Sequence, residues 1–150
     1  MTLPTNILVP TDFSPTADRA LDYAIALGAK LSARIHVVHV IGIPVLGIPE
    51  LGLALASVTI DALVADGKAA LDRIADKHRD QVTIGEVVLR TGDARDEVLQ
   101  VAAEVHADLI VIGTHGRRGI ARALLGSVAE EIVRTASCPV LTVGAKGVTP

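Results

Sequence analysis

The hydrophobic pattern of the chain alternates between short apolar runs and longer segments with apolar residues at helical spacing. Apolar runs of about four to eight residues are typical of buried strands. The sequence has five such runs, and they lie at Asn6–Val9, Ala33–Val40, Val82–Arg90, Ala107–Ile112 and Pro139–Val143. We therefore predict five strands, each separated from the next by a longer segment.

Four of the intervening segments repeat apolar residues three or four positions apart, which predicts amphipathic helices. The first begins at Ser14, a cap residue that is followed by proline at the first helical position. The second covers Asp61–Arg79, the third follows Gly92-Asp93, and the fourth covers Val128–Ala136.

Strands that alternate with helices indicate an α/β fold with a parallel sheet and helices on both faces. The first and fourth strands are continuous apolar runs, as the centre of such a sheet requires. The third carries Glu86 and Arg90, and Gly85 shifts its phase, which is typical of a bulged edge strand. We predict a single-domain, doubly wound, Rossmann-like sheet of five parallel strands in the order 3-2-1-4-5, spanning residues 1–150 with a loose tail at 144–150. Strands one and four then flank the switch point, where such sheets bind ligands.

Residues 41–60 interrupt this pattern. They contain one charged residue, Glu50, together with Pro44, Pro49 and several glycines, so we expect neither a continuous strand nor a continuous helix before Asp61. One interpretation is a long loop packed on the domain. The other is a lid near a ligand or a surface for a protein partner.

The composition narrows the class of partner. The 150 residues are 50% hydrophobic, but Phe13 and Tyr23 are the only aromatic residues, which leaves no platform for stacking bases. A net charge of −3 argues against a general polyanion binder. The single cysteine, Cys138, suits a reducing compartment, and the sequence contains no secretion signal and no apolar stretch of membrane-spanning length. We expect a cytoplasmic protein that binds neither nucleic acid nor membrane.

No compact set of metal ligands can be drawn from the sequence. His36 and His39 fall on opposite faces of their strand because side chains alternate, so a structural metal site is not expected. There is also no phosphate-binding loop of the Gly-x-x-x-x-Gly-Lys-Ser/Thr type, and no nucleophile with a paired base can be placed. We therefore assign no catalytic residue and no metal ligand.

The segment 113–127 carries the clearest candidate chemistry, because a loop rich in glycine joins the fourth strand to the fourth helix. Free N–H groups at a helix start attract phosphate. Ser127 with Glu130 matches a capping box, and the loop adds Arg117, Arg118 and Arg122, which can meet phosphate oxygens. The alternative is that Ser127 only caps the helix and the arginines only face water.

Asp12 follows the first strand at the predicted switch point. A carboxylate there can accept hydrogen bonds from a ribose or an adenine, or it can simply cap a local turn.

The spacing of Gly113, Gly116 and Gly126-Ser127 resembles the nucleotide-binding signature of the universal stress protein family, in its ATP-binding branch. The flanks Leu109–Gly113 and Leu124–Glu130 agree, and Ile7–Ser14 resembles the first strand and loop of that family. The resemblance covers nearly the whole chain. It implies the same strand order, in a fold like that of the adenine nucleotide alpha hydrolases.

The resemblance also implies a ligand and the residues that bind it. The ligand would be ATP, with Mg²⁺ or Mn²⁺ held through its phosphates, although the residues do not distinguish ATP from AMP. Asp12 and the backbone at Val40 would contact the adenosine. The full set of expected nucleotide-binding residues is Pro10, Thr11, Asp12, Val40, Gly113, Thr114, Gly116, Arg117, Gly126, Ser127 and Val128.

The expected function is that of an ATP-binding, nucleotide-dependent regulator in a stress response, with an unidentified protein partner and at most weak ATPase activity. Relatives are often homodimers through the last strand, here 139–143, and an apolar edge strand invites such pairing. Two alternatives stay open: a slow ATP hydrolase or phosphate-transferring enzyme, and a nucleotide-free scaffold of the same fold.

Overall fold

The computed structural model describes residues 2–43, 49–115 and 125–145, with the backbone alone at 49–57. Strands and helices alternate along the chain. They are β1 (Asn6–Pro10), α1 (Pro15–Leu31), β2 (Arg34–Ile41), α2 (Pro49–His78), β3 (Thr83–Thr91), α3 (Ala94–Glu104), β4 (Leu109–Gly113), α4 (Ser127–Thr135) and β5 (Val140–Val143). None of the described helices combines the length and the apolar character needed to cross a membrane.

The strands form one parallel sheet in the order β3-β2-β1-β4-β5, which confirms the predicted order. The continuous apolar strands occupy the centre, where Leu8 of β1 pairs with Ile110 of β4 and both are fully buried. β3 lies at an edge and is bulged as predicted. Ile35 pairs with Ile84 and Val37 with Val87, so β3 contains one more residue than β2 over this interval.

Helices cover both faces of the sheet and enclose two apolar cores. Ile7 and Val9 of β1 point into the core with Leu21 of α1 and Leu71 of α2. Leu8, between them, points into the opposite core, which includes residues of α3 and α4. Consecutive strand residues separate in this way because side chains alternate across a sheet.

The helix after β2 begins earlier than predicted. α2 starts at Pro49, so the expectation that residues 41–60 contain no continuous helix was wrong from Pro49 onward. Proline fits the first turn of a helix because its missing N–H would have no partner there, and a single glycine such as Gly52 costs a helix only about 1 kcal/mol. Residues 44–48 lie outside the described part of the chain, and with them part of the segment interpreted as a lid or a packed loop.

Ala145 belongs to the tail that was expected to be loose. Its carbonyl oxygen accepts a hydrogen bond from the guanidinium of Arg19 on α1. Residues 146–150 lie outside the described part.

Candidate functional site

The turn between β1 and α1 is held by its own polar side chains. The N–H of Phe13 donates to Oγ1 of Thr11 at 3.0 Å, and the N–H of Ser14 donates to Oδ1 of Asp12 at 3.0 Å. Oγ of Ser14 accepts from the N–H of Ala17 at 3.2 Å and caps α1, as the sequence predicted. The Asp12 carboxylate is therefore fixed in direction at the carboxyl end of β1.

The same turn is anchored to β2. The N–H of Thr11 donates to the carbonyl of Val38 at 2.8 Å, and the carbonyl of Thr11 lies 2.7 Å from Nδ1 of His39. Phe13 has φ of 60°, a left-handed conformation that costs a residue with a side chain about 1–2 kcal/mol. Its ring packs on the His39 ring with centroids 4.4 Å apart.

His39 was not among the residues predicted for the site. It was noted only for the strand face on which it lies. A polar residue at the carboxyl end of a strand beside the switch point was the signal that could have identified it.

Gly113 ends β4 against the first turn of α1. A Cβ at this position would lie 3.0 Å from the carbonyl carbon and oxygen of Thr16 and 3.1 Å from its Cγ2. Backbone atoms cannot move aside cheaply, so the absent side chain allows β4 and α1 to pack together. This contact brings the end of β4 beside the turn that carries Asp12.

Thr114 joins the end of β4 to the start of α4. Its N–H donates to the carbonyl of Val143 at 3.0 Å, and its own carbonyl accepts from the N–H of Gly126 at 2.5 Å. Thr114 therefore bonds both to β5, through its N–H, and to the N-cap of α4, through its carbonyl, so the start of α4 is held next to the end of β4. Gly116 and Arg117, which were predicted to contact the nucleotide, lie outside the described residues, as do Arg118 and Arg122.

The start of α4 differs from the predicted capping box. Gly126 is the N-cap and Ser127 is the first helical residue, so Glu130 lies one position too late to complete the box. The N–H of Glu130 bonds the carbonyl of Gly126, and its carboxylate pairs with Arg134 at 3.2 Å. Among the described residues no side chain caps this helix. Its first N–H groups therefore give the helix start a partial positive charge at the carboxyl edge of the sheet, where Ser127 is exposed.

The described candidate residues form two groups at this edge. One group is held by the pairing of β1 with β2, which aligns Pro10 with Val38, two residues before Val40. The other is held by the hydrogen bond between Thr114 and Gly126. The side chains of Val40 and Val128 pack into the core beneath the edge, so their backbone groups are what they offer to a ligand. β1 and β4 are neighbours, and the two groups therefore flank the predicted switch point.

This arrangement of strand, loop and helix start can be compared with known proteins. Residues 4–144 match the Universal stress protein family. The chain belongs to this family. It is 32% identical over 137 residues to the universal stress protein MJ0531 of Methanocaldococcus jannaschii, covering 91% of this chain and 80% of that relative.

Solved universal stress proteins share the fold. The chain resembles UspA from Lactobacillus plantarum with a TM-score of 0.84 and 25% identity, over 93% of this chain and 97% of that one. It also resembles a universal stress protein crystallised in complex with cAMP, with a TM-score of 0.67 and 25% identity over 97% and 100% of the two chains.

Shifted pKa values in this universal stress protein occur at His36 of β2, at Cys138 before β5 and at Asp93 after β3. Burial, reinforced by Arg34, lowers the pKa of His36, and burial raises the pKa of Cys138. Hydrogen bonds from Arg95 hold the pKa of Asp93, the cap of α3, well below its usual range. Among the side chains that the structure describes, no three of His, Cys, Asp or Glu come together in a way that could hold a metal ion.

Proposed function

We propose that this universal stress protein binds an adenine nucleotide, ATP in the first place, at the carboxyl edge of β1 and β4, and that it acts as a nucleotide-dependent regulator. The main support is the uncapped first turn of α4, which the Thr114–Gly126 hydrogen bond holds at that edge beside β4. A family member of the same fold binds cAMP, which supports an adenine nucleotide as the ligand class.

The phosphates would lie at the start of α4. There the N–H groups of Ser127 and Val128 and the Ser127 hydroxyl can donate hydrogen bonds to phosphate oxygens. Gly116 and Arg117 would approach from the preceding segment, as the sequence pattern predicts. A divalent cation would arrive with the nucleotide and be held mainly by its phosphates.

The adenosine would lie on the other side of the switch point. Asp12, whose carboxylate is oriented by the Ser14 N–H, would accept hydrogen bonds from the ribose hydroxyls. The backbone of Pro10, Thr11 and Val40 lines the same side, because β1 and β2 pair there. In this arrangement the two groups of candidate residues recognise different parts of one ligand.

One contact favours a second candidate function, a slow ATP hydrolase or phosphate-transferring enzyme. Oγ1 of Thr114 lies 2.8 Å from Nδ1 of His115, close to the proposed phosphate position. An imidazole at this distance from a hydroxyl can act as a general base. Turnover of ATP by the parent and by His115→Gln separates the candidates, because a regulator shows no release of phosphate that depends on His115.

The binding proposal is tested by mass spectrometry of small molecules released from the denatured protein, and by calorimetry with ATP, AMP and inorganic triphosphate. Ser127→Ala should weaken ATP binding by roughly tenfold or more, because a hydrogen bond to a charged group contributes about 1.5–3 kcal/mol. Ser137→Ala is the matched control, since Ser137 is exposed in the turn after α4. The proposal fails if neither ATP nor AMP binds at millimolar concentration, or if the two serine variants bind alike.

Asp12→Ala should weaken ATP while leaving triphosphate unchanged, because only the adenosine side is altered. Asp22→Ala, on the exposed face of α1, controls for the loss of one negative charge. Equal losses for ATP and triphosphate would contradict the assignment of Asp12 to the adenosine.

A further inference from the structure

The imidazole of His39 contacts the turn between β1 and α1, and α2 passes close to its other side. Its Nδ1 lies 2.7 Å from the carbonyl oxygen of Thr11, and because a carbonyl only accepts, Nδ1 carries the proton and donates. Its ring packs on Phe13 with an interplanar angle of 42°. On the side of α2, a Cβ at Gly67 would lie 3.3 Å from Cδ2 of His39, so the helix approaches the ring closely at that residue.

The hydrogen bonds within the Thr11–Ser14 turn do not replace the contacts that His39 makes with it. The side chains of Thr11 and Asp12 accept from the N–H groups of Phe13 and Ser14, and the N–H of Thr11 bonds to β2. The carbonyl of Thr11 receives its hydrogen bond from His39. The left-handed backbone at Phe13 is supported by the contact between the two rings.

We infer that His39 is the positioning residue of the nucleotide site: it holds the Thr11–Ser14 turn and thereby aims the Asp12 carboxylate at the adenosine. This inference rests on the proposed function for the ligand, and on the contacts above for the turn. His39 touches the turn and not the nucleotide. The main contribution of His39 to the turn is the hydrogen bond that its Nδ1–H donates to Thr11. A residue that only filled space would contribute through its volume instead.

Two variants separate the donor from the volume. His39→Asn keeps an N–H donor, because the amide nitrogen of asparagine occupies nearly the position of Nδ1. His39→Leu puts an apolar side chain of similar size in place of the ring and removes the donor. Amide hydrogen exchange at Phe13 and Ser14, measured without nucleotide, reports the turn, and calorimetry with ATP and with inorganic triphosphate reports the site.

We expect His39→Leu to speed exchange at Phe13 and Ser14 and to weaken ATP by about three- to tenfold, the effect of losing one hydrogen bond. Triphosphate binding should be unchanged, and His39→Asn, which keeps the donor but loses the ring contact with Phe13, should stay closer to the parent than His39→Leu in both measurements. Unchanged exchange in His39→Leu would overturn the inference, as would equal weakening of ATP in the two variants.

The role of His39 in the turn can be tested even if the parent binds no nucleotide or His39→Leu does not fold. If the parent binds neither ATP nor AMP, the proposed function fails, while hydrogen exchange still decides whether His39 holds the turn. If His39→Leu does not fold, nitrogen NMR of the parent at alkaline pH decides the matter. A neutral ring protonated at Nδ1 supports the inference, and one protonated at Nε2 overturns it.

Discussion

At the bulge in β3, a histidine of the neighbouring strand accepts a hydrogen bond from the bulged backbone. We therefore predict that one methyl group added beside this histidine lowers the free energy of unfolding. His36 of β2 is 4% exposed. Its Nδ1 accepts from the N–H of Glu86 at 2.9 Å, which leaves Nε2 to donate to Oδ1 of Asn6 at 3.2 Å. The extra residue of a bulge interrupts the ladder of sheet hydrogen bonds, and here His36 supplies the acceptor that Glu86 uses.

Gly85 lies directly under this ring. A Cβ there would be 2.4 Å from Cε1 and 2.7 Å from Nδ1 of His36, distances that no unstrained contact reaches. If the ring stays in Gly85→Ala, the overpacking costs about 1–3 kcal/mol. If the ring leaves, the unpaired N–H of Glu86 costs about 1–3 kcal/mol. We therefore expect a loss of about 2 kcal/mol in the free energy of unfolding by either route.

Urea unfolding of Gly85→Ala, His36→Ala and the double variant measures this. Without the imidazole, the close neighbour that remains for the new methyl group is Cδ of Arg34 at 2.7 Å, and this exposed, flexible side chain can move aside, so Gly85→Ala should cost far less in the His36→Ala background. Gly42→Ala is the matched control, because a Cβ at Gly42 meets no atom within 4 Å. An equal cost of Gly85→Ala in both backgrounds, to within about 0.5 kcal/mol, would refute the reasoning.

Three further predictions concern acidity and the free edge of the sheet. Burial and the neighbouring Arg34 lower the pKa of His36, so the folded state disfavours the charged ring and the unfolding free energy should fall as the pH drops below 6.5, by at most about 1.4 kcal/mol per pH unit. Urea unfolding across pH should show this slope reduced in His36→Asn, and equal slopes would contradict it. Burial alone would raise the pKa of Asp108, but hydrogen bonds from Thr5 and Asn6 outweigh burial and lower it. This carboxylate should therefore stabilise the fold above pH 3.8 and lose that contribution as the pH falls below it. Asp108→Asn should cost about 1 kcal/mol at neutral pH after allowance for solvent screening, and an unchanged unfolding midpoint would disprove this. The chain should be a homodimer through β5 that Leu141→Lys converts to monomers, and light scattering that shows a monomeric parent would exclude that interface.

The strand order could be predicted from the sequence because a strand that is buried on both faces needs apolar residues at consecutive positions. A strand such as β4, buried by helices on two sides, has to be apolar at every position, and Leu109–Ile112 meets that demand. An edge strand tolerates charge, and β3 carries Glu86 and Arg90. The alternation of strands and helices then leaves few possible topologies.

The start of α2 cannot be predicted from single breaker residues. Pro49 and Gly52 suggested a loop, yet proline is favourable in the first turn of a helix. Whether a proline interrupts a helix or begins one depends on where the preceding strand ends and on what the new helix packs against. Both of those are tertiary facts.

The details of the candidate site depend on tertiary structure in the same way. Glycine spacing placed Gly113, Gly126 and Ser127 near one another, but the cap of α4 moved from Ser127 to Gly126, which bonds the carbonyl of Thr114. The contact between His39 and Thr11 joins residues 28 positions apart, and it exists because β1 and β2 pair in one register. Periodicity records which side chains are buried. The partners of polar groups at strand ends are set by how neighbouring strands align, and that alignment is decided only when the sheet forms.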